Sequence, residues 1–225
     1  MGALTHSTSK SLLFVTENRS PMIHHLETLT TLPHIKKITI VVGHADTEVK
    51  AACSTSYNGI PLTYVKNNAY KTTGSGYSLS LALAQQIQPP YLFMDADIFY
   101  ESEMLHEFSL IAKDSLLASK REAYDDEMVK ITTQGANLCK LNKAETDNLS
   151  GESVGMVMVH TPQFHAHIMQ EAQQRAEQPR YEWEEVIENI AQNHPLHVSF
   201  TQRTWTEIDF PQDLTLAKKL FSYQK

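Results

Sequence analysis

The chain has little of three features that would assign it to a specialised class of protein. It has 2 cysteines among 225 residues, and Cys53 and Cys139 show no metal-ligand spacing, which is typical of a reducing cytoplasm. No apolar run approaches the roughly 20 residues that a membrane-spanning helix needs, and residues 1–10 lack the apolar core of a signal peptide. The 19 basic against 26 acidic residues give a net charge of −7, which disfavours an extended nucleic-acid surface. We therefore expect a cytoplasmic protein with no membrane span and no nucleic-acid partner.

What the chain does contain is typical of one folded domain. Hydrophobic residues make up 41% and charged residues 20% of the sequence, as in globular proteins. A chain of 225 residues can bury one sizeable core. Because no repeat or low-complexity linker divides the sequence, we expect a single domain spanning residues 1–225.

One stretch stands out because an apolar run leads directly into two carboxylates. Tyr91 to Met94 precede Asp95 and Asp97, and a short apolar run after two prolines predicts a strand buried on both faces. Ligands of open α/β sheets bind beyond the carboxyl ends of the strands. Two hard oxygen ligands there suit Mg²⁺ or Mn²⁺. Alternatively, the aspartates form a turn and cap the helix expected near Glu101.

The pattern of the first hundred residues predicts the class of fold. Apolar spacing after Pro21 predicts a helix to residue 32, and β-branched residues predict a strand at 38–42. A helix capped by Asp46, a strand at 61–65 and a helix at 77–86 follow. Strands that alternate with helices predict an α/β fold with a three-layer, mainly parallel mixed sheet. The second half predicts a hairpin, a strong strand at 153–159 and three helices.

Several segments, in this order, resemble small nucleotidyltransferases, and most closely the cytidylyltransferases of phosphocholine and 2-aminoethylphosphonate. The matching pieces span nearly the whole chain: Leu4-Thr with Ser9-Lys10-Ser-Leu, Ile40-Val-Val-Gly-His44, Tyr64–Tyr70 with Tyr77-Ser-Leu, Asp97, Asp126–Lys130, Gly151-Glu-Ser-Val-Gly155 and Trp205–Leu214. The resemblance implies a Rossmann-like, GT-A-like nucleotidyltransferase fold. Residues 1–100 would be its nucleotide-binding half and residues 101–225 its acceptor-binding half.

The resemblance also implies a reaction and the residues that catalyse it. A phosphate or phosphonate oxygen would attack the α-phosphorus of CTP and release pyrophosphate, so that catalysis is mainly positioning and charge neutralisation. Asp97 and Asp209 match the two aspartates that hold Mg²⁺, with Asp95 and Glu207 as further candidate ligands. Lys10 matches the lysine that contacts the phosphates, whereas its alternative role is that of a solvated loop lysine.

The resemblance places further residues in the two binding pockets. Asn67 and Ser78 match nucleotide-binding positions, whereas Tyr77 matches an acceptor-binding position. The other acceptor-side residues are Glu152, Tyr181, Glu182 and Trp183, whose aromatic faces and carboxylates suit a choline or aminoethyl cation. For Trp183 the alternative is a core residue at the start of a helix.

The chain departs from the family at its start. Family members begin with a strand and a glycine-rich loop that holds the triphosphate through backbone amides, but Met1-Gly-Ala-Leu-Thr5 matches only the end of that signature. We therefore expect this chain to bind and turn over CTP poorly. We also expect the strands at 38–42 and 91–95 to lack the strand between them, unless another segment or a second copy in a homodimer supplies it.

Two other functions remain open on the sequence alone. A GT-A-type glycosyltransferase also uses an Asp-x-Asp metal site, but it would release a nucleoside diphosphate rather than pyrophosphate. A degenerate nucleotide-fold protein would bind a ligand or partner without turnover. The identity of the acceptor and the base of the nucleotide are not determined by the sequence.

Overall fold

The structure is a computed structural model that describes residues 8–222. The described residues form seven α-helices and eleven strands. The helices are α1 (Pro21–Thr31), α2 (Asp46–Cys53), α3 (Ser75–Leu83), α4 (Ser102–Ser109), α5 (Pro162–Gln174), α6 (Trp183–Ala191) and α7 (Pro211–Leu220). The strands are β1 (Ile38–Val42), β2 (Ser56–Tyr57), β3 (Ile60–Lys66), β4 (Tyr91–Met94), β5 (Ile98–Tyr100), β6 (Ser115–Ser119), β7 (Lys130–Gln134), β8 (Asn137–Asn142), β9 (Gly151–Val159), β10 (His197–Thr201) and β11 (Trp205–Glu207). A 3-10 turn spans Lys10–Leu12.

The chain divides into two compact units. Within the described residues, unit 1 comprises 8–68, 95–107 and 203–222, and unit 2 comprises 69–94 and 108–202. The expectation about the first strand and glycine-rich loop concerns residues 1–5, which lie outside the described residues.

Unit 1 contains a three-stranded sheet in the order β1-β3-β2 and a separate two-stranded ladder of β5 and β11. Helix α1 begins as its sequence predicts, with Pro21 in the first turn and the Ser20 hydroxyl accepting a hydrogen bond from the backbone N–H of Ile23 at 3.4 Å. Its apolar face packs on the first sheet in a buried cluster of Met22, Leu26, Ile40, Val42, Val49, Cys53 and Leu62. A second cluster joins Val15, Phe99, Ile208, Ala217 and Phe221. The second cluster holds β5 and the segment after β11 against helix α7.

Unit 2 is built on a six-stranded sheet in the order β4-β9-β6-β10-β8-β7. All nine residues of β9 are buried, and this strand pairs with β4, β6 and β7. Residues of α3, α5 and α6 cover the sheet in one large apolar cluster that includes Leu83, Phe164 and Val186. The β7–β8 hairpin turns at Gly135, whose φ of 62° favours glycine.

The mixed α/β fold with mixed sheets is confirmed, although the strand pairing differs from the expectation. Among the strand pairs of the described residues, β1–β3 and β6–β10 are parallel, and the other seven pairs are antiparallel. The prediction of a mainly parallel sheet rested on the alternation of strands and helices in the first hundred residues, whereas six of the seven antiparallel pairs include a strand after residue 100. Strand β4 is half-buried rather than buried on both faces, because it lies at the end of its sheet.

The cap of α2 is a second correction. Asp46 is the first residue of the helix, and the preceding Ala45 is the N-cap residue, with a left-handed φ of 55°. The carboxylate of Asp46 instead forms ion pairs with Lys66 at 2.9 Å and Lys50 at 3.4 Å. These contacts depress its pKa to about 2, with the Lys66 hydrogen bond as the largest cause.

Candidate functional site

A two-stranded ladder brings together two segments of unit 1 that are distant in sequence. Strands β5 and β11 pair antiparallel, with Ile98 opposite Glu207. Directly beyond that pair, the backbone N–H of Ile208 donates to the carbonyl of Asp97 at 3.1 Å. Asp97 and Asp209 therefore emerge side by side from neighbouring chain segments.

The start of helix α7 holds the backbone of Asp209. The carboxylate of Asp213 accepts hydrogen bonds from the backbone N–H groups of Asp209 at 3.0 Å and Phe210 at 2.7 Å. A carboxylate in the first helical turn is also favoured by the helix dipole. Asp213 thus fixes the chain direction at Asp209 and keeps the carboxylate of Asp209 available for other contacts.

Lys10 lies between the two aspartates. Its Nζ is 2.7 Å from Oδ2 of Asp97 and 2.5 Å from Oδ1 of Asp209. Burial alone lowers the pKa of Lys10, but the charge of Asp97 and hydrogen bonds to both carboxylates outweigh it, and the pKa lies above the ordinary 10.5. The turn that carries Lys10 is anchored through its neighbours, since Leu12 and Leu13 pack against the two apolar clusters of unit 1.

Three carboxylates of unit 1 form a group that fits a divalent cation. Oxygen atoms of Asp97, Glu207 and Asp209 lie within 4.8 Å of one another. Carboxylate oxygens are the ligands that Mg²⁺ prefers, and the half-exposed setting leaves room for the waters it retains. The donor set therefore fits the expected metal. Asp95, the other candidate, does not belong to this group of described residues, and its role as a ligand stays a prediction.

Two buried histidines support the segment that carries Asp97, and sequence reasoning missed them. His24 is 1% exposed and stacks on Phe99 at 4.5 Å between ring centroids. His25 is 4% exposed, and its Nδ1 lies 3.1 Å from the hydroxyl of Tyr100. Burial lowers the pKa of His24 to about 4 and that of His25 to about 3. For His25 the available signal was its helical spacing on α1, three residues after Met22 and four before Leu29.

The predicted nucleotide-binding residues Asn67 and Ser78 fall in different units, and the predicted acceptor residue Tyr77 precedes Ser78. In unit 1, Asn67 follows β3, is 2% exposed, and its backbone N–H donates to the carbonyl of Val42 at 2.8 Å. In unit 2, Tyr77 and Ser78 lie in the first turns of α3, and the side chain of Tyr77 packs against the main cluster. Their roles in binding stay predictions.

Three predicted acceptor residues of unit 2 make internal contacts. Tyr181 is 2% exposed, and the guanidinium of Arg175 lies 5.4 Å from its ring centroid. Trp183 is 3% exposed and meets Phe93 edge to face at 5.4 Å. The carboxylate of Glu182 accepts the backbone N–H of Ser75 at 2.8 Å. The aromatic rings are therefore covered by the protein, and their role toward a cationic acceptor stays a prediction.

The close packing around Tyr181 accounts for the two glycines at the start of helix α3. A Cβ at Gly74 would lie 2.0 Å from the carbonyl oxygen of Tyr181, and one at Gly76 would lie 2.3 Å from its ring. The backbone N–H of Gly76 donates to that same carbonyl at 3.1 Å. Glycine is thus required here for a close approach of two chain segments.

Glu152 contacts Arg121, a residue that lines an open pocket of unit 2. It is buried and ion-paired with Arg121; burial raises its pKa above the ordinary value, although Arg121 acts in the opposite direction. Arg121 also lines a pocket of about 450 Å³. The other lining residues are Lys120, Tyr124, Thr133, Leu149, Ser150 and Phe200. The pocket presents two cationic and two aromatic side chains, which the sequence pattern did not indicate.

Comparisons with known proteins establish the fold. The chain is similar to the CTP:phosphocholine cytidylyltransferase of Streptococcus pneumoniae, with a TM-score of 0.77, 18% identity, and 98% of this chain and 93% of the other covered. A putative glucose-1-phosphate thymidylyltransferase from Bacillus anthracis gives a TM-score of 0.80 at 16% identity, covering 100% and 91%. The inositol-1-phosphate CTP transferase of T. maritima gives 0.73 at 15%, covering 98% and 90%.

Those similarities define the class of fold, a Rossmann-type, GT-A-like nucleotidylyltransferase fold. At identities of 15–18%, these similarities show the fold alone. The activity of this chain has to be argued from its own residues. Comparison with models of protein families found no match, and neither did comparison with curated proteins. Across residues 8–222, no helix has both the length and the apolar character that crossing a bilayer demands.

Proposed function

We propose that this chain is a Mg²⁺-dependent nucleotidyltransferase that transfers CMP from CTP to a small phosphorylated or phosphonate acceptor, of the phosphocholine or 2-aminoethylphosphonate type. The observation that carries the proposal is the convergence of Lys10, Asp97, Glu207 and Asp209 from distant parts of the sequence in unit 1. The likeness of the fold to nucleotidyltransferases supports the same function.

The chemistry requires charge neutralisation more than covalent participation. Asp97 and Asp209 would hold the Mg²⁺, with Glu207 beside them, and the bound cation would neutralise charge on the reacting phosphates. Lys10 supplies a compact positive charge for phosphate oxygens. Asp213 orients the segment of Asp209 through its backbone hydrogen bonds. Positioning of this kind suits a reaction in which a nucleotidyl group passes between two oxygens.

We assign the acceptor to the pocket of unit 2 that Lys120 and Arg121 line. Two cations favour the phosphoryl or phosphonyl group, which every acceptor of this class carries. Phe200 is 40% exposed and Lys120 lies 5.9 Å from its ring centroid, so that an aromatic face borders the cationic part of the pocket. Glu152, paired with Arg121, then contributes by orienting that guanidinium.

The test is release of pyrophosphate from CTP with Mg²⁺ and a panel of acceptors: phosphocholine, 2-aminoethylphosphonate, inositol-1-phosphate and glucose-1-phosphate. Parallel reactions with the other three nucleoside triphosphates measure the preference for the base. The expected result is release that depends on both the acceptor and Mg²⁺, whatever its rate. Formation of a nucleoside diphosphate from a nucleotide sugar would instead indicate the glycosyltransferase, and binding of CTP without any product would indicate a degenerate protein.

A further inference from the structure

We propose that Lys10 is an exchangeable counter-ion of the carboxylate group, held by Asp97 and Asp209 until a divalent cation displaces it. The proposal rests on the proposed function in one respect, namely that the three carboxylates bind a metal. It goes further because the Lys10 ammonium and the metal ion would compete for the same carboxylates. This competition would determine the metal concentration at which the site fills.

The geometry makes the two cations mutually exclusive. The ammonium contacts one oxygen of each aspartate, at 2.7 Å for Asp97 and 2.5 Å for Asp209. A Mg²⁺ ion needs its oxygen ligands at roughly 2.0–2.1 Å, so an ion held by both aspartates would lie close to the position of the ammonium. Two positive charges at such a short distance repel each other strongly where solvent is partly excluded.

The charge balance favours the exchange. Asp97, Glu207 and Asp209 supply three negative charges within 4.8 Å, and Lys10 brings a single positive charge to them. A divalent cation neutralises one further charge. The group therefore attracts a divalent cation although a lysine already occupies it.

The side chain of Lys10 can also leave the carboxylate group. Its side chain is 35% exposed, and a lysine side chain has a long stem with several rotatable bonds. Its backbone stays anchored in the 3-10 turn, where the N–H of Leu13 donates to the carbonyl of Lys10 at 3.0 Å. The ammonium can therefore turn away toward solvent, or toward a phosphate, without movement of the fold.

The first experiment measures binding of Mn²⁺ alone, without nucleotide, from the electron paramagnetic resonance signal of the free ion. Lys10→Met should bind Mn²⁺ at least about tenfold more tightly than the unaltered protein, because the competing charge is gone. Lys10→Arg keeps the charge and should bind no more tightly than the unaltered protein. Lys50→Met is the matched control, since it removes an equal charge from an ion pair with Asp46 and should change the affinity less than about twofold.

A second experiment uses the unaltered protein and needs no variant to fold. Reductive methylation followed by mass spectrometry should modify Lys10 faster when Mg²⁺ is present, while the rate at Lys50 stays the same. Equal or weaker Mn²⁺ binding by Lys10→Met, or a rate at Lys10 that Mg²⁺ leaves unchanged, would overturn the proposal. Neither experiment uses CTP, so a failure of the pyrophosphate assay does not affect these results, and the reverse also holds.

Discussion

Glu184 should make the stability of unit 2 depend on pH, and substitution of this one residue should remove its contribution. It is the second residue of α6, and one of its carboxylate oxygens is buried with no hydrogen-bond partner. Burial raises its pKa from 4.5 to about 7. The hydrogen bond from its own backbone N–H and the charge of Lys143 act against the rise, while the charges of Glu182 and Glu185 add to it.

The sign and size of the effect follow from proton linkage. Between pH 4.5 and 7 the folded protein keeps a proton that the unfolded chain has released, so the free energy of unfolding falls as the pH rises. A shift of this size corresponds to at most about 3 kcal/mol above pH 7. The helix N-terminus favours the charged form by about 0.3–1 kcal/mol. Glu184→Gln should therefore stabilise the protein by about 2–3 kcal/mol at pH 8 and by little near pH 4.5.

The assay is urea unfolding at several pH values between 5 and 8, followed by the fluorescence of Trp183 in a Trp205→Phe background. This background leaves one tryptophan, which lies in the same unit as Glu184. The difference between Glu184→Gln and the parent isolates Glu184, because His24 and His25 titrate in both proteins. Glu177→Gln, an exposed carboxylate on the surface, is the control. The same difference at pH 5 and pH 8 would refute the reasoning.

Three further predictions concern the proposed site and the core. Asp97→Asn should lower turnover at least about 100-fold, yet change the free energy of unfolding, measured in urea, by less than about 1 kcal/mol, because its ion pair is partly exposed; a large loss of stability would contradict this. Trp183→Ala should destabilise the protein by about 3–5 kcal/mol in the same measurement, whereas Trp183→Phe should leave the acceptor KM unchanged, and a raised KM would restore the acceptor role of this ring. Lys120→Gln should raise the acceptor KM about fivefold and leave the CTP KM unchanged; equal effects on both constants would place the acceptor elsewhere.

The sequence predicted most elements of the fold because their apolar patterns are local. Helix α1 has its proline, its cap and its apolar spacing within a few turns, and β1 is a plain β-branched run. Strand β5 was missed because it is three residues long and its partner β11 lies far away in the sequence. The segment of β11 does have the pattern of a short strand, but the sequence of neither segment indicates that the two pair.

In the candidate site, too, the sequence predicted individual residues but not the contacts between distant segments. Asp97 was predicted from the apolar run before it, and Lys10 and Asp209 through an ordered resemblance, but their contact depends on the β5–β11 ladder, which the sequence pattern did not indicate. The burial of Trp183 was available from the sequence, because apolar residues recur along α6 at 183, 186, 187 and 190, the spacing of a core-facing helix. The pocket at Lys120 combines residues of β7 and β10 with the segments that follow β6 and precede β9, so no single segment of the sequence predicts it.

The central claim is tested most directly by ³¹P nuclear magnetic resonance of CTP, Mg²⁺ and phosphocholine with the unaltered chain and with Asp97→Asn. The account predicts that pyrophosphate and a new diphosphate diester, which joins CMP to the acceptor, appear in equal amounts with the unaltered chain and are absent with Asp97→Asn. The same spectra with 2-aminoethylphosphonate distinguish the two acceptors. Pyrophosphate without a linked product, or equal product from the Asp97→Asn protein, would contradict the account.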